Sequence, residues 1–278
     1  MLKKRGDWSL TEGINHFVLH LYIQQPDDNR KPGMNAWFGT EFNRHNTWFN
    51  QADTYFDYLR RCQHLLQQGK YVADVCYFIG ENTPIMTGGR VPEIPDGYSY
   101  DYINAEVIMD RLSVKDGRFV LPDGMSYKVM VLPPFKTMRP ELLEKIEALV
   151  KQGGIILGPK PEKSPSLQNF PNCDEQVKLL ADKLWSGNYE NGKMTLHYGQ
   201  GKVMDGYEIS EVFNSINLTK DVDVPSETPV LWTHRREADM DIYFITNQSD
   251  ALIELSPVFR VDSKLKPQLW DAVSGEIR

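Results

Sequence analysis

Between Tyr71 and Leu157 the chain alternates short apolar runs with stretches that are apolar along one helical stripe. Tyr71–Gly80 (YVADVCYFIG), Lys128–Pro133 (KVMVLP) and Gly154–Leu157 (GIIL) show almost no polar alternation, so each is expected to be a strand buried on both faces. Arg139 to Gln152 reads as a helix. Pro140 stands at its first position, Leu142, Leu143, Ile146, Leu149 and Val150 share a face, and Gly153 follows its end. Asp101–Leu112 and Asp174–Trp185 are expected to be further helices, Met194–Tyr198 a strand, and Gly88 to Tyr98 a Gly/Pro-rich loop. This rhythm predicts an α/β fold whose sheet is open, mostly parallel and covered by helices.

Two flanking regions break the rhythm. Ile14–Ile23 is β-branched and aromatic with little alternation, so it too is expected to be a doubly buried strand. A long loop, 24–49, follows. From Gln51 a helix is expected, with Ala52, Tyr55, Phe56, Leu59, Cys62 and Leu66 on one stripe and Gly69 ending it. After Thr219, short strands are expected at Val230–His234, Asp241–Thr246, Ala251–Phe259 and Lys266–Trp270, with Asn247 to Asp250 as a hairpin turn. This is a short antiparallel β piece. The first strand lacks an obvious partner and the last pattern stops midway, so either the chain is expected to be a piece of a larger protein or its first strand packs in a non-parental way.

Composition narrows the function. The 278 residues suggest about two domains. With 41% hydrophobic and 25% charged residues the chain is an ordinary globular protein. A net charge of −7 without a Lys/Arg block argues against nucleic acid as a partner. No apolar run reaches the roughly 20 residues of a membrane span, so no membrane partner is expected. Cys62, Cys76 and Cys173 lack metal-type spacing, and Cys62 and Cys76 read as small core residues. The opening MLKKRGDW has basic residues but no apolar stretch behind them, unlike a signal peptide.

The 24–49 loop is unlike a simple connector. It carries Trp37, Glu41, Asn43, Arg44, His45, Asn46 and Trp48, and three of the chain's six histidines (16, 20 and 45) fall in or just before it. Binding groups concentrate on loops held by rigid elements. Gly13 to Tyr22 (GINHFVLHLY), Asn35 to Glu41 (NAWFGTE) and Asn43 to Trp48 (NRHNTW) resemble glycoside hydrolase family 106, the α-L-rhamnosidase-like enzymes. Asp241 to Asp250 (DIYFITNQSD) and Leu269 to Glu276 (LWDAVSGE) resemble the start of the β-domain in that family.

The resemblance implies that residues 1–69 hold the last strand and helix of a (β/α)8 barrel, with 24–49 as an active-site loop at the strand's carboxyl end. It implies a flavodoxin-like or amidotransferase-like parallel sheet over 70–218 and the start of a β-sandwich over 219–278. The implied parent hydrolyses α-L-rhamnosides in plant-type polysaccharide by inversion. It carries calcium and works in a periplasmic or extracellular setting. Rhamnose-containing oligosaccharides or polysaccharides are the implied partners. Alternatives are a non-catalytic carbohydrate-binding or assembly module and a β-galactosidase-like hydrolase.

Glycosidases need two carboxylates flanking the bond. Glu41 is the candidate general acid here; its other role would be to order the loop through Arg44 or Lys31. The second carboxylate is expected outside this chain, so the chain alone is expected to be inactive. His16 and His20, four apart, would share one face of the strand. His20 is the better sugar ligand and His16 reads as a hydrogen-bonded core residue; the pair alone makes no metal site. Tyr22, Trp37 and Trp48 suit stacking on a sugar, although packing competes, most of all for Trp48. Asn43, Arg44 and His45, with Asn46, suit polyol hydroxyls. No cofactor motif is evident. Cys76 lies within a strand and not on a nucleophile elbow, and Asp74 and Glu81 read as surface or loop groups. An unpaired barrel strand would also favour strand-mediated self-association.

Overall fold

A computed structural model describes residues 2–31, 33–38, 42–82 and 89–278. The chain forms two compact units. One comprises Met1–Tyr71, Thr228–Glu254 and Val261–Arg278, the other Val72–Glu227 and Leu255–Arg260. The first unit opens with α1 (Leu2–Thr11), α2 (Ala52–Leu66) and β1 (Lys70–Tyr71). The second supplies β2 (Val75–Phe78), β3 (Tyr100–Ile103), α3 (Ala105–Asp110), β4 (Ser113–Lys115), β5 (Arg118–Val120), β6 (Ser126–Tyr127) and β7 (Val129–Val131). It continues with α4 (Pro140–Lys151), β8 (Ile155–Leu157), α5 (Asn172–Leu184), β9 (Met194–Tyr198), β10 (Gly201–Asp205), α6 (Ile209–Ser215) and β11 (Val222–Asp223). The first unit resumes with β12 (Val230–Glu237) and β13 (Met240–Asn247), and β14 (Val258–Phe259) returns to the second.

The second unit is built on a sheet of order β3-β2-β7-β8-β10-β9. The first five strands are parallel neighbours and β9 runs antiparallel to β10. In chain order the parallel strands lie second-first-third-fourth-fifth, one of the doubly wound arrangements. The apolar runs explain this. Every residue of β2 and β7 is buried, and a strand hidden on both faces needs helices above and below. On one face Val75, Tyr77, Val129, Val131, Leu157 and Met204 pack with Ile209, Val212 and Phe213 of α6. Helix α4 has Pro140 at its start, Glu141 in its first turn, Lys151 in its last, and Gly153 beyond it at φ +120°. Small antiparallel sheets, β4-β5-β6 and β11-β14, complete the unit.

The first unit joins α1 and α2 to the antiparallel sheet β1-β12-β13. Leu10, Tyr58, Leu59, Cys62 and Leu66 form its core, with Phe17, Tyr55 and Phe244 against them. The buried Asp7 carboxylate gathers three donors: Tyr58 Oη at 2.5 Å, Thr246 Oγ1 at 2.7 Å and Lys3 Nζ at 2.5 Å. Gly69 follows α2 at φ +58°. A Cβ there would stand 2.2 Å from the Arg236 carbonyl oxygen, so the β1–β12 approach requires glycine.

Several elements depart from the sequence reading. No strand forms over 14–23. Its groups bond to α2, with Gln63 Oε1 accepting from Phe17 N and the Leu66 carbonyl accepting from Asn15 Nδ2, and Val18 is 85% exposed. A strand exists only through a partner strand, and the described residues supply none. The helix expected over 101–112 is instead β3 followed by α3, because Asn104 caps the helix, its Oδ1 accepting from Val107 N at 3.0 Å. The hairpin turn lies at Ala238 and Asp239, where Glu237 pairs with Met240, and not at 247–250. There the Asn247 side chain makes a local turn, accepting from Ser249 N at 2.8 Å. Of the two last strands expected, only Val258–Phe259 forms a ladder, and Trp270 makes a single bridge to Ile277. Helix α1 has no counterpart in the sequence reading. Among the described residues no helix is long and apolar enough to cross a membrane.

Candidate functional site

The loop between α1 and α2 is organised around a buried Gln25. Its Nε2 donates to the carbonyls of Met34 (2.8 Å) and Ile23 (3.1 Å), and its Oε1 accepts from Met34 N at 2.7 Å. A second bond set closes the other arm. Arg44 Nη2 donates to the Gln25 carbonyl at 2.9 Å and to Asp28 Oδ1 at 2.7 Å, while His45 Nε2 stands 3.7 Å from the same Asp28 oxygen. The Arg44 guanidinium holds the Asp28 carboxyl below its ordinary pKa, and Asp28 in turn raises that of Arg44. Arg44 therefore pairs with Asp28, a partner that the sequence reading did not single out.

Asn43 and His45 are buried. Asn43 Oδ1 accepts from His45 N at 2.9 Å, an Asx turn that feeds the chain toward α2. Asn43 Nδ2 and His45 Nδ1 are buried without a hydrogen-bond partner among the described residues. Buried polar atoms are nearly always paired, so two unpaired in one loop mark the segment as unusual. Phe42 lies edge-on to Trp48 at 5.5 Å and next to Phe56 of α2 at 5.8 Å, which places Trp48 in a packed aromatic cluster.

The remaining aromatic groups face outward. His20 stacks on Phe38 at 5.4 Å, and Trp37 meets Phe38 edge-on at 4.8 Å while staying 94% exposed. Tyr22 is 54% exposed and touches Phe49 edge-on at 6.4 Å. His16 and His20 are both exposed, which removes the core role expected of His16; its Nδ1 lies 3.4 Å from Gln67 Nε2. Glu41 lies outside the described residues. The segment thus exposes a His20–Phe38–Trp37 cluster and, with the Arg44 guanidinium, Tyr22, while Gln25, Asn43 and His45 are buried. Such surfaces can stack against the apolar face of a sugar and hydrogen-bond its hydroxyls.

In the second unit, Asp74 and Glu81 lie in the loops that flank β2, as expected of loop groups, but their carboxylates are turned inward. Asp74 is buried at the start of β2, with Arg260 Nη2 2.7 Å from its Oδ1, and burial raises its pKa. The buried Glu81 carboxylate accepts from Arg139 N at 2.8 Å and from Arg139 Nε, holding the start of α4. The Cys76 thiol lies in the sheet core, where burial pushes its pKa far up, and the Cys62 thiol rises to about 11. Neither is an activated nucleophile. Among the described residues no three His, Cys, Asp or Glu side chains lie close enough to hold a metal.

Comparison with known proteins identifies the family. The family model described as alpha-L-rhamnosidase, that of glycoside hydrolase family 106, matches residues 1–278. A Formosa agariphila protein named as a beta-glucuronidase is 41% identical over 281 residues, which cover all of this chain and 23% of the relative. The structure of a rhamnosidase from Novosphingobium sp. PP1Y superimposes with a TM-score of 0.89 at 31% identity, over 99% of this chain and 26% of that one. A catalytic mutant of Gan42B, a GH42 beta-galactosidase from G. stearothermophilus, shares the fold alone, with a TM-score of 0.51 at 11% identity, over 85% of this chain and 42% of that one. The chain thus spans about a quarter of the length of the first two relatives. With its whole length matched by the family model, the chain belongs to glycoside hydrolase family 106.

Proposed function

We propose that this chain is the part of a family 106 hydrolase that supplies one wall of its sugar site, and that the parent enzyme cleaves α-L-rhamnosides in plant-type polysaccharide. The observation that carries this reading is the 24–49 loop, where exposed Trp37, Tyr22 and His20 accompany a braced frame. Trp37 and Tyr22 stack on the sugar ring, His20 and Arg44 bond its hydroxyls, and Asn43 and His45 hold the loop's path. Trp48 serves mainly by packing. Glu41 is proposed as the general acid. The partner carboxylate lies elsewhere in the parent, so the isolated chain turns nothing over.

In the same reading 14–23 takes the place of the last barrel strand and α2 that of the last barrel helix. The strand order of the second unit supports a flavodoxin-like or amidotransferase-like domain that serves as scaffold. The apolar groups of 14–23 that a parent barrel would cover, Ile14, Val18 and Leu19 among them, are exposed, so the isolated chain is expected to self-associate. A monodisperse monomer across a concentration series in sizing experiments would count against that. The resemblance also implies calcium, which takes six to eight oxygens. Of the two carboxylates described within the loop, Asp28 is committed to Arg44 and Asp27 accepts from Asn29 N, and no three metal-binding side chains gather among the described residues, so these residues make no such site and no step is drawn through the ion.

The test is hydrolysis of p-nitrophenyl α-L-rhamnoside by the longer polypeptide that contains this chain, and by residues 1–278 alone. Turnover by the former, weakened in Trp37→Ala, supports the reading; turnover by residues 1–278 alone refutes the inactive-fragment part. A second reading is favoured by the 41% identical relative named as a beta-glucuronidase. If p-nitrophenyl β-D-glucuronide is cleaved and the rhamnoside is not, the parent acts on uronides. Saturable rhamnose binding by the longer polypeptide, with neither substrate cleaved, would make it a binding module.

A further inference from the structure

A second surface of the first unit combines an aromatic platform with a free cation. Helix α1 presents Lys4, Arg5 and Trp8, which together with Gln248 line an open groove of about 460 Å³. The Trp8 ring is 41% exposed, and the Arg5 guanidinium lies 4.8 Å from its centroid. No carboxylate among the described residues pairs with Arg5, whereas Lys3 is held by Asp7 and Lys4 by Asp250 at 2.5 Å. Asp250 is itself almost fully exposed, so its pair with Lys4 opens at little cost. On the near wall, Gln248 N donates to the Pro229 carbonyl at 2.8 Å, which fixes the backbone while the side-chain amide makes only a long 3.4 Å contact to Thr246 Oγ1.

Each part answers to one feature of an acidic sugar. An indole offers a flat apolar face to the ring's C–H side. A guanidinium 4.8 Å from the indole centroid can take the carboxylate of a sugar beside that ring through two N–H groups. An amide and an exposed carboxylate suit ring hydroxyls as donor and acceptor. A cluster of basic residues in a chain of net charge −7 also gives anions a local reason to collect there. We propose that the Lys4–Arg5–Trp8–Gln248 groove binds a uronic acid residue of a glycan, with Arg5 on the carboxylate and Trp8 beneath the ring. This site is separate from the 24–49 loop and does not rest on the function proposed for it.

The experiment is a titration of the 278-residue chain with sodium methyl β-D-glucuronide, followed through the indole N–H resonance of Trp8, which Trp8→Phe identifies by its loss. Methyl β-D-glucoside and sodium acetate at equal concentrations are the controls. Shallow, exposed sites bind single sugars weakly, so saturation is expected with Kd on the order of 10 mM. The glucoside and acetate should each bind about fivefold or more weakly, and Arg5→Gln should weaken the glucuronide by a similar factor without altering the far-UV circular dichroism. Trp37→Ala should leave the titration unchanged, which separates this groove from the loop. The proposal is overturned if Trp8 does not respond, if acetate or the glucoside matches the glucuronide, or if Arg5→Gln binds as the parent chain does.

Discussion

The parallel sheet and the 24–49 loop use similar residue types to opposite ends. In β2 and β7, valine, cysteine, tyrosine, phenylalanine and methionine are all buried; beside them both Glu81 oxygens are bonded to Arg139, while Asp74 reaches Arg260 through Oδ1 and leaves Oδ2 buried without a hydrogen-bond partner among the described residues. In and just before the loop, Trp37, Phe38 and Tyr22 face outward while Phe42 packs inward and Asn43 and His45 are buried, each of the last two with one side-chain atom unpaired among the described residues. Hydrophobic burial explains the apolar residues of the first arrangement. It works against the second, so something besides stability is being served there. Large exposed apolar groups rimmed by polar ones are the usual mark of a contact surface.

The comparison breaks most readily under truncation. Ile146→Ala in α4 removes a fully buried side chain from the layer that covers the sheet and should cost about 2–5 kcal/mol, read from the midpoint of urea unfolding. Trp37→Ala removes a larger side chain but should shift that midpoint by less than about 0.5 kcal/mol, since the ring is exposed. A large loss from Trp37→Ala would mean that the loop's aromatics are structural and that the contrast is false. In the parent hydrolase proposed above, the same variant should lower rhamnoside turnover by about tenfold or more, through lost positioning.

Asp7→Ala is the next step down. It leaves Tyr58 and Thr246 with buried donors and no acceptor, so about 2–3 kcal/mol should be lost and α1 should loosen first, visible as faster amide exchange at Ser9 and Leu10.

The smallest effect concerns pH. Burial raises the Asp74 pKa from its ordinary 3.8, so the folded state holds that proton more tightly than the unfolded chain. Its contribution is full below pH 3.8 and is lost as pH climbs through the raised folded value. Asp74→Asn carries no such titration. Its stability relative to the parent chain should therefore improve from acid toward neutral pH, measured by paired urea melts. A constant difference between the two across that range would show that Arg260 fully offsets the burial of Asp74.

Legibility followed the range of the forces involved. Helix α4 was readable because Pro140, the Leu142–Leu143–Ile146 stripe and Gly153 are all local signals, and the apolar run at 128–133 gave β7 for the same reason. The break at Asn104 was missed, although a capping residue before an apolar turn is itself a readable sign. Helix α1 was invisible. Its LKKRGD start has Gly6 within the helix, and what secures it is Asp7 meeting Tyr58 and Thr246, residues 51 and 239 positions away. In the site, residue types pointed to the loop, but nothing local distinguished exposed Trp37 from buried Asn43 and His45, or revealed Gln25 and Asp28 as the frame.

By itself, then, the sequence determined the doubly buried strands of the second unit, most of its helices and the unusual chemistry of the 24–49 loop. Each depends on periodicity or composition within about a dozen residues. Tertiary structure alone decided that 14–23 is not a strand, that α1 is a helix, and which loop residues face outward. Those outcomes depend on partners far away in the chain: a strand needs another strand, and a buried carboxylate needs donors brought to it by folding.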